Sequence, residues 1–286
     1  MKKLFLTLLL VFIFPVCVNA DEIYNVNIEV DIQKDGSAKI NESWEAIANQ
    51  GIEWCKEIVD LNDDSDLSSY TVMMDGNNLI EKTWNPNETI EQKAGFYSIK
   101  YTSEGLELCF GKKDNKKHNF LLSYAISNFI FNTSDGQVLY WNLLREKNVN
   151  KVNVTIRSYD KISNSTKIYG YGYDDSISLK KGIISMVNNE NSGEEYVTVL
   201  AKFPSKSFEI NNSKDEFKKF SDVLKLANSE HSVYAKGSSS SASDGSNIVT
   251  IVIIIVIVLC VGFILFKFKD KIFGIFKKNN NASIGI

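Results

Sequence analysis

The sequence of 286 residues has few of the side chains that most often carry catalysis or bind metals. It contains two histidines, four cysteines and three prolines. His118 lies in a lysine-rich stretch and His231 follows a helical pattern, so neither is expected in the dry pocket that a Ser-His-Asp or Cys-His site requires. No His/Cys cluster has the spacing of a zinc site, and no phosphate-binding or dinucleotide-binding glycine loop is present. We therefore predict no catalytic residue, no metal, no cofactor and no enzymatic activity.

Long apolar runs are also scarce, and the two that exist lie near the ends of the chain. Residues 1–20 begin with basic residues, continue with an apolar core and finish with Val18-Asn19-Ala20, the pattern of a secretory signal peptide cleaved after Ala20. The segment from Ile248 to Phe266 has no charged residue over 19 positions, and its length as a helix is roughly 28 Å. Because this suffices to cross the apolar core of a bilayer, we predict a transmembrane helix at 248–266.

The charges beside this segment predict its orientation. Five lysines and one aspartate follow it in residues 267–286, whereas residues 237–247 before it contain one acid and no base. Because positively charged flanks stay in the cytoplasm, we expect a basic cytoplasmic tail and an extracytoplasmic N-terminal region. Without the seven lysines and one aspartate of the terminal segments, the exterior has 25 basic and 34 acidic residues, a net charge of about −9 that disfavours binding to nucleic acid.

Between the two apolar runs the pattern is that of short antiparallel strands. Alternate residues from Tyr24 to Val30 are apolar, Asp35-Gly36 is a tight-turn dipeptide and the alternation then resumes, which predicts a β-hairpin. Trp44 and Trp141 fall at core positions of such patterns. Many short strands separated by turn residues predict a mainly β, antiparallel β-sandwich-like exterior. Further strand candidates are residues 69–74, 96–101, 106–110, 119–131, 138–143, 152–159, 165–171, 183–187 and 196–203.

The order of these patterns predicts how the exterior is divided. We place one β-sandwich-like module at residues 21–135 and a second β module at 136–211. Ser213-Lys214-Asp215-Glu216 has the pattern of a capping box, so we predict an amphipathic helix over 212–230 that packs on a sandwich edge. A flexible Ser/Gly-rich linker at 231–247 then leads to the predicted membrane helix.

Several short motifs occur in a characteristic order along this exterior. They are Asp35-Gly36-Ser37-Ala38, Glu42-Ser43-Trp44, Gly51-Ile52-Glu53-Trp54, Glu107-Leu108 with Gly111, Tyr124, Gln137 with Tyr140-Trp141-Asn142, Gly170-Tyr171-Gly172-Tyr173, and Phe203-Pro204 with Phe208. In order and spacing, residues 23–210 resemble the N-terminal region of a bacterial family of predicted membrane proteins, domain of unknown function 2207. The resemblance implies a β-rich exterior and a membrane span, and it implies no particular reaction.

Two cysteines remain in the exterior once the signal peptide and the membrane segment are set aside. Cys55 and Cys109 each lie in a strand-edge motif, in a compartment that permits oxidation. A disulfide between them would close a loop of roughly 55 residues and stabilise the fold by about 4 kcal/mol in the chain-entropy treatment. Two buried free thiols are the alternative.

Aromatic residues provide a candidate binding surface. Trp84 precedes a turn at Asn85-Pro86 and is expected to be exposed. Tyr169, Tyr171 and Tyr173 alternate across glycines, so they share one face on which a sugar ring or a peptide can stack. The alternative is a packing stripe inside the fold.

These features predict a bacterial cell-envelope protein that is held by one helix and binds rather than catalyses. Thirty lysines against two arginines fit an AT-rich bacterial coding sequence. The expected partners are the lipid bilayer, through residues 248–266, and another envelope protein or a cell-wall polymer. One alternative is a carbohydrate-active hydrolase acting on envelope polymer, whose two carboxylates the sequence does not locate. A sensor is a third possibility, although its tail has only about 20 residues with which to signal.

Overall fold

The computed structural model describes residues 22–230 apart from 48–50, 52, 60–64, 86, 104, 147–148, 173–175, 189–196 and 215–216. The predicted signal peptide, linker, transmembrane helix and basic tail lie outside the described residues. Among the residues described, no helix combines the length and the apolar character that crossing a membrane requires. The protein is mainly β, as the sequence predicts.

The strands follow one another in short segments. Their bounds are β1 Glu22–Ile32, β2 Ala38–Ile47, β3 Glu53–Val59, β4 Leu67–Met74, β5 Asn77–Asn78, β6 Ile80–Glu81, β7 Phe96–Tyr101, β8 Gly105–Gly111, β9 Lys117–Ile126, β10 Phe131–Thr133, β11 Gly136–Leu144, β12 Val152–Ser158, β13 Lys167–Tyr171, β14 Ser176–Lys180, β15 Ile183–Asn188 and β16 Val197–Phe203. Two helices accompany them, α1 at Ile90–Lys93 and α2 at Phe220–Glu230.

The predicted hairpin forms between β1 and β2. Gly36 has a φ of +73° in its turn, a conformation that a residue without a Cβ adopts readily. The inward face of β1 differs from the prediction at the start of the strand. A register irregularity between Ile23 and Asn25 buries Ile23 there and leaves Tyr24 half-buried. Such a bulge shifts the alternation by one residue, so Tyr24 does not share the inward face of Val26.

The strands form three sheets. The large sheet has the order β14-β15-β12-β1-β2-β9-β4-β5. The sheet β3-β8-β7-β6 is called the disulfide sheet below, and the sheet β10-β11-β16-β13 the helix-side sheet. All pairs within the large sheet are antiparallel except β1 and β12, which pair in parallel from Val26 and Val152 to Ile32 and Ser158.

That parallel pair corrects the predicted division into two modules near residue 135. It places β12, β14 and β15 in the same sheet as β1, β2, β4 and β9, so strands from both predicted modules form one sheet. A single apolar cluster contains residues of all three sheets, among them Leu122, Leu108 and Leu139, together with Trp44 and Trp141. The described residues accordingly form one compact unit. The burial of both tryptophans is as predicted.

The second helix begins later than the capping-box pattern predicts. Ser213 forms a parallel β-bridge with Asn132 beside the helix-side sheet, so the chain is still extended there. The helix starts at Phe220, whose N–H donates to the Asp135 carboxylate at 2.8 Å, while the side chain of Asp222 accepts from the Lys219 N–H at 2.9 Å. Two acids therefore accept from N–H groups at the start of the helix, and one of them, Asp135, lies in the distant turn between β10 and β11.

Candidate functional site

A cluster of polar side chains lies in the core where the three sheets meet. Glu42 occupies an inward position of β2, between Ile40 and Trp44. Its carboxylate accepts hydrogen bonds from Trp44 Nε1 at 2.8 Å and from the Tyr124 hydroxyl, on β9, at 2.5 Å. A buried carboxylate is tolerated only when it is paired and hydrogen-bonded in this way.

Lys56, on β3, supplies the positive charge of the cluster. Its Nζ lies 3.7 Å from Glu42 Oε1, and the exposed fractions of the two side chains are 1% and 0%. The same Nζ donates to the Leu143 carbonyl oxygen of β11 at 2.5 Å and lies 5.8 Å from the centroid of the Trp44 ring. One ammonium group therefore links the large sheet, the disulfide sheet and the helix-side sheet.

Glu146 follows β11 and lies at the border of this cluster. Burial raises the pKa of its carboxyl from 4.5 to about 7, although the charge of Lys56 and a hydrogen bond from Trp54 favour the ionised form. The charges of Glu57 and Glu42 raise this pKa further. Burial, the Glu42 charge and the hydrogen bond to it also raise the pKa of Tyr124 well above 10, so its hydroxyl remains a donor.

This arrangement suits a structural role better than a catalytic one. Glu42 and Lys56 are closed to solvent, and each already has protein partners for its charge. A substrate would have to displace these contacts and the packed rings around them before it could reach either group. The cluster therefore holds three sheets together.

The cysteine pair lies in the same region. Cys55 and Cys109 face each other directly in the pairing of β3 with β8, with their Cα atoms 3.9 Å apart. The two residues form a disulfide, with their sulfur atoms 2.06 Å apart. Cys55 is the residue before Lys56, so the bridge fixes the strand that carries the buried cation.

The predicted aromatic surface is not assembled in the structure. Tyr171 is fully buried under α2, where its hydroxyl donates to Asn228 at 3.0 Å, and Tyr169 is half-buried with its ring 5.9 Å from that of Phe220. The packing alternative therefore describes these two residues, because the helix covers the face that they share. Tyr173 lies outside the described residues. Trp84 is half-buried on a separate loop, with Lys93 Nζ 4.9 Å from its ring centroid.

His118 is placed differently from the prediction, since it is buried rather than exposed in a loop. Its Nδ1 lies 2.7 Å from Asp75 and its Nε2 lies 2.9 Å from Asp114. Burial alone would raise the pKa of Asp75, but hydrogen bonds from the Asn119 N–H and from His118 outweigh it and lower the pKa. With an aspartate beside each ring nitrogen, the imidazole fastens the turns that carry Asp75 and Asp114 to β9.

One open groove of about 660 Å³ lies beside the helix-side sheet. Gln137 lines it, but the amide of Gln137 already bonds to Asn132 at 3.1 Å and to the backbone of Phe208 at 2.8 and 3.1 Å. Its buried polar groups therefore serve the fold rather than a ligand.

The outer face of the large sheet carries a different kind of surface. Residues that are register partners in neighbouring strands lie side by side, so one residue from each strand forms a row across this face. The side chains of the row described here are all half-buried or exposed. Neighbouring strands are 4.7–4.9 Å apart, so a row over six strands is roughly 24 Å long. From β15 through β12, β1, β2 and β9 to β4, this polar row consists of Ser185, Thr155, Glu29, Asn41, Ser123 and Thr71.

Solved structures share only a weak likeness with this chain. A yeast LTA4 hydrolase in complex with bestatin has a TM-score of 0.42 at 8% identity, over 65% of this chain and 29% of that one. An M1 zinc metallopeptidase from Deinococcus radiodurans has 0.34 at 8%, over 64% and 42%. A candidate nutrient-binding protein from Legionella pneumophila has 0.36 at 8%, over 65% and 68%. The chain thus spans less than a third of the yeast enzyme's length.

No curated protein matches the sequence significantly. A family match covers residues 22–203, from the first residue of β1 to the last of β16, and therefore includes the polar cluster, the disulfide and the polar row. Its description is "Predicted membrane protein (DUF2207) N-terminal domain". The chain belongs to this family of predicted membrane proteins.

Proposed function

We propose that this protein is a non-catalytic binding module of the bacterial cell envelope. It is held by one membrane helix at residues 248–266, with residues 21–247 outside the membrane after removal of the signal peptide and with the tail in the cytoplasm. The sequence supports this topology through the uncharged segment and the lysines that follow it. The proposal includes a β-sandwich in which the large sheet is one layer, because one apolar cluster contacts all three sheets.

The observation that carries the binding role is the closure of the polar cluster. Glu42 and Lys56 are the charged groups of the cluster that could take part in acid–base chemistry. Both are already paired with each other and with the surrounding fold. We therefore expect a partner to bind the surface of the exterior, and the outer face of the large sheet presents a polar row across six strands. A polymer or an envelope protein can bind there without any covalent step.

A hydrolase is the second candidate, and one observation favours it. Glu146 has a pKa raised to about 7, as a general acid in a glycosidase requires. Two carboxylates act on this pKa, Glu57 and Glu42. Glu42 is closed to solvent, so a sugar could not lie between it and Glu146, and Glu57 lies 3.7 Å from the Arg145 guanidinium, which pairs its charge. This geometry supports binding over hydrolysis.

The topology can be tested on intact cells that express the full chain with a C-terminal tag. Protease added outside should trim the exterior and leave a tagged, membrane-bound fragment, and the protein should leave the membrane fraction only with detergent. An exterior that resists protease on intact cells but is cut after lysis, or a protein freed by lysis alone, would contradict the proposed anchoring.

The absence of catalysis can be tested with full-length protein in detergent and purified cell-wall fragments. We expect the protein to sediment with the fragments and to release no soluble sugar. Release of sugar by the wild type that disappears in Glu146→Gln, but persists in the surface control Glu45→Gln, would favour the hydrolase instead.

A further inference from the structure

We infer that the polar row on the outer face of the large sheet binds an uncharged polysaccharide that lies across the strands. The inference rests on the proposed binding function and assigns it a surface and a ligand class. The polar row was defined above by Ser185, Thr155, Glu29, Asn41, Ser123 and Thr71, and it follows from strand register rather than from sequence proximity.

The chemistry of the polar row suits a hydroxyl-rich ligand. Serine and threonine hydroxyls and the asparagine amide each both donate and accept hydrogen bonds, as sugar hydroxyl and acetamido groups do. The hydroxyl of Ser123 donates to Asn41 Oδ1 at 2.6 Å. This bond uses the amide oxygen of Asn41, so its NH₂ group can donate to a ligand. These side chains repeat at the spacing of the strands, close to the length of one sugar unit, so consecutive units of a polymer can meet equivalent groups.

A second row, which contains both polar and apolar side chains, lies beside the polar row on the same face, two residues away along each strand. Asn27 donates to Ser43 at 3.1 Å and accepts from Asn153 at 2.7 Å. The same row continues through Leu121, opposite Ser43, to Met73. Leu121 is 44% exposed, an unusual position for a large apolar side chain on a polar face. Sugar rings present both hydroxyl edges and apolar C–H faces, and the two rows together offer contacts to both.

The charges of this face indicate an uncharged ligand. Arg157 lies 3.6 Å from Glu29, and Lys117 lies 2.5 Å from Glu45, so acids and bases on the outer face neutralise each other. An anionic polymer would find no excess of positive charge here, and it would also meet an exterior with a net charge of about −9. A neutral polysaccharide encounters neither barrier.

The accessibility of the outer face of the large sheet also favours a polysaccharide as its ligand. The described helices make their main contacts with β8, β11 and β16, none of which belongs to the large sheet. A face that runs roughly 24 Å across six strands is long enough to accept a chain of several sugars. An enclosed pocket would instead select a small ligand.

The test uses full-length protein in detergent with two insoluble uncharged probes, chitin and cellulose. We compare the wild type, the row variant Asn41→Ala/Thr155→Ala, and the matched control Thr83→Ala/Asn87→Ala, which removes the same side-chain types from exposed positions between β6 and α1. We expect the row variant to bind a probe about tenfold more weakly or worse, because two hydrogen-bonding groups are lost. The control should bind like the wild type, and all three should have the same melting temperature.

Three results would overturn the inference, and each has a different meaning for the proposed function. If the wild type binds a probe and the row variant binds it equally well, another surface is responsible and the binding role stands. If the wild type binds neither probe, an uncharged polysaccharide is not the ligand; surface crosslinking on intact cells then tests binding to an envelope protein separately. A change of oligomeric state in the row variant, without any probe binding by the wild type, would assign the face to a second copy of this chain.

Discussion

The two faces of strand β2 carry the same pair of charges in opposite surroundings. Glu42 points inward to Lys56, and the two side chains are almost fully excluded from water, whereas Glu45 points outward to Lys117, with exposed fractions of 37% and 51%. The outer pair is the shorter one, at 2.5 Å against 3.7 Å between charged atoms. Distance alone would therefore rank them wrongly, because the consequence of losing a partner depends on whether water can replace it.

The largest expected effect comes from breaking the inner pair. Lys56→Met should lower the free energy of unfolding by about 3–5 kcal/mol, because it leaves the Glu42 carboxylate buried without a counter-charge. The same substitution outside, Lys117→Met, should change it by about 1 kcal/mol or less. Urea unfolding followed by tryptophan fluorescence measures both, and equal losses would refute the contrast between the two faces.

The double variant Glu42→Gln/Lys56→Met sharpens this comparison. Removing the carboxylate charge as well should restore part of the stability, because most of the loss in Lys56→Met comes from the unpaired charge rather than from the missing contact. A double variant as unstable as the sum of the two single variants would show that the two groups act independently.

The hairpin and the inward glutamate were within reach of sequence reasoning, because both depend on local pattern. The alternation that buries Ile40 and Trp44 also places Glu42 on the inward face. An acidic residue at a position that the alternation assigns to the core therefore indicates a buried carboxylate. Its partner was not readable in the same way, since Lys56 meets Glu42 only after two different sheets come together.

The errors in the sequence prediction share a non-local cause. The division near residue 135 failed because β1 pairs with β12, a contact between segments far apart in the chain. The helix start was misplaced because the N–H of its first residue, Phe220, donates to the side chain of Asp135, which precedes it by 85 residues. His118 was expected outside the core because lysines surround it in the sequence, and Asp75, which helps to hold it in place, is 43 residues away.

The second-largest expected effect comes from the disulfide, which joins β3, the strand that carries Lys56, to β8. Cys55→Ala/Cys109→Ala should lower the free energy of unfolding by about 2–4 kcal/mol, because the bridge restricts the unfolded chain. Reductant should lower the urea midpoint of the wild type and leave that of the double variant unchanged. Two alkylatable thiols from these positions in unreduced protein, found by mass mapping, would contradict the bridge.

A smaller effect should appear in the pH dependence of stability. The carboxyl of Glu146 has a pKa of about 7 in the fold against 4.5 ordinarily, so between these values the folded state binds more protons than the unfolded state. The free energy of unfolding should therefore fall as the pH rises from about 4.5 to about 7, and this fall should be smaller in Glu146→Gln. The outward variant Glu45→Gln serves as the control and should keep the wild-type slope; identical slopes in all three proteins would contradict the burial of Glu146.

The smallest effect concerns salt, and it separates the two faces without changing the inner one. A double-mutant cycle on Glu45 and Lys117 should give a coupling energy of at most about 1 kcal/mol. That coupling should decrease between about 0.1 M and about 1 M salt, as the screening length shortens from about 10 Å to about 3 Å. The coupling of Glu42 to Lys56 should hardly change, because salt ions cannot enter the space around a pair that excludes water. If both couplings fell in parallel, solvent would have to reach Lys56, and the polar cluster could then no longer be regarded as closed to a substrate.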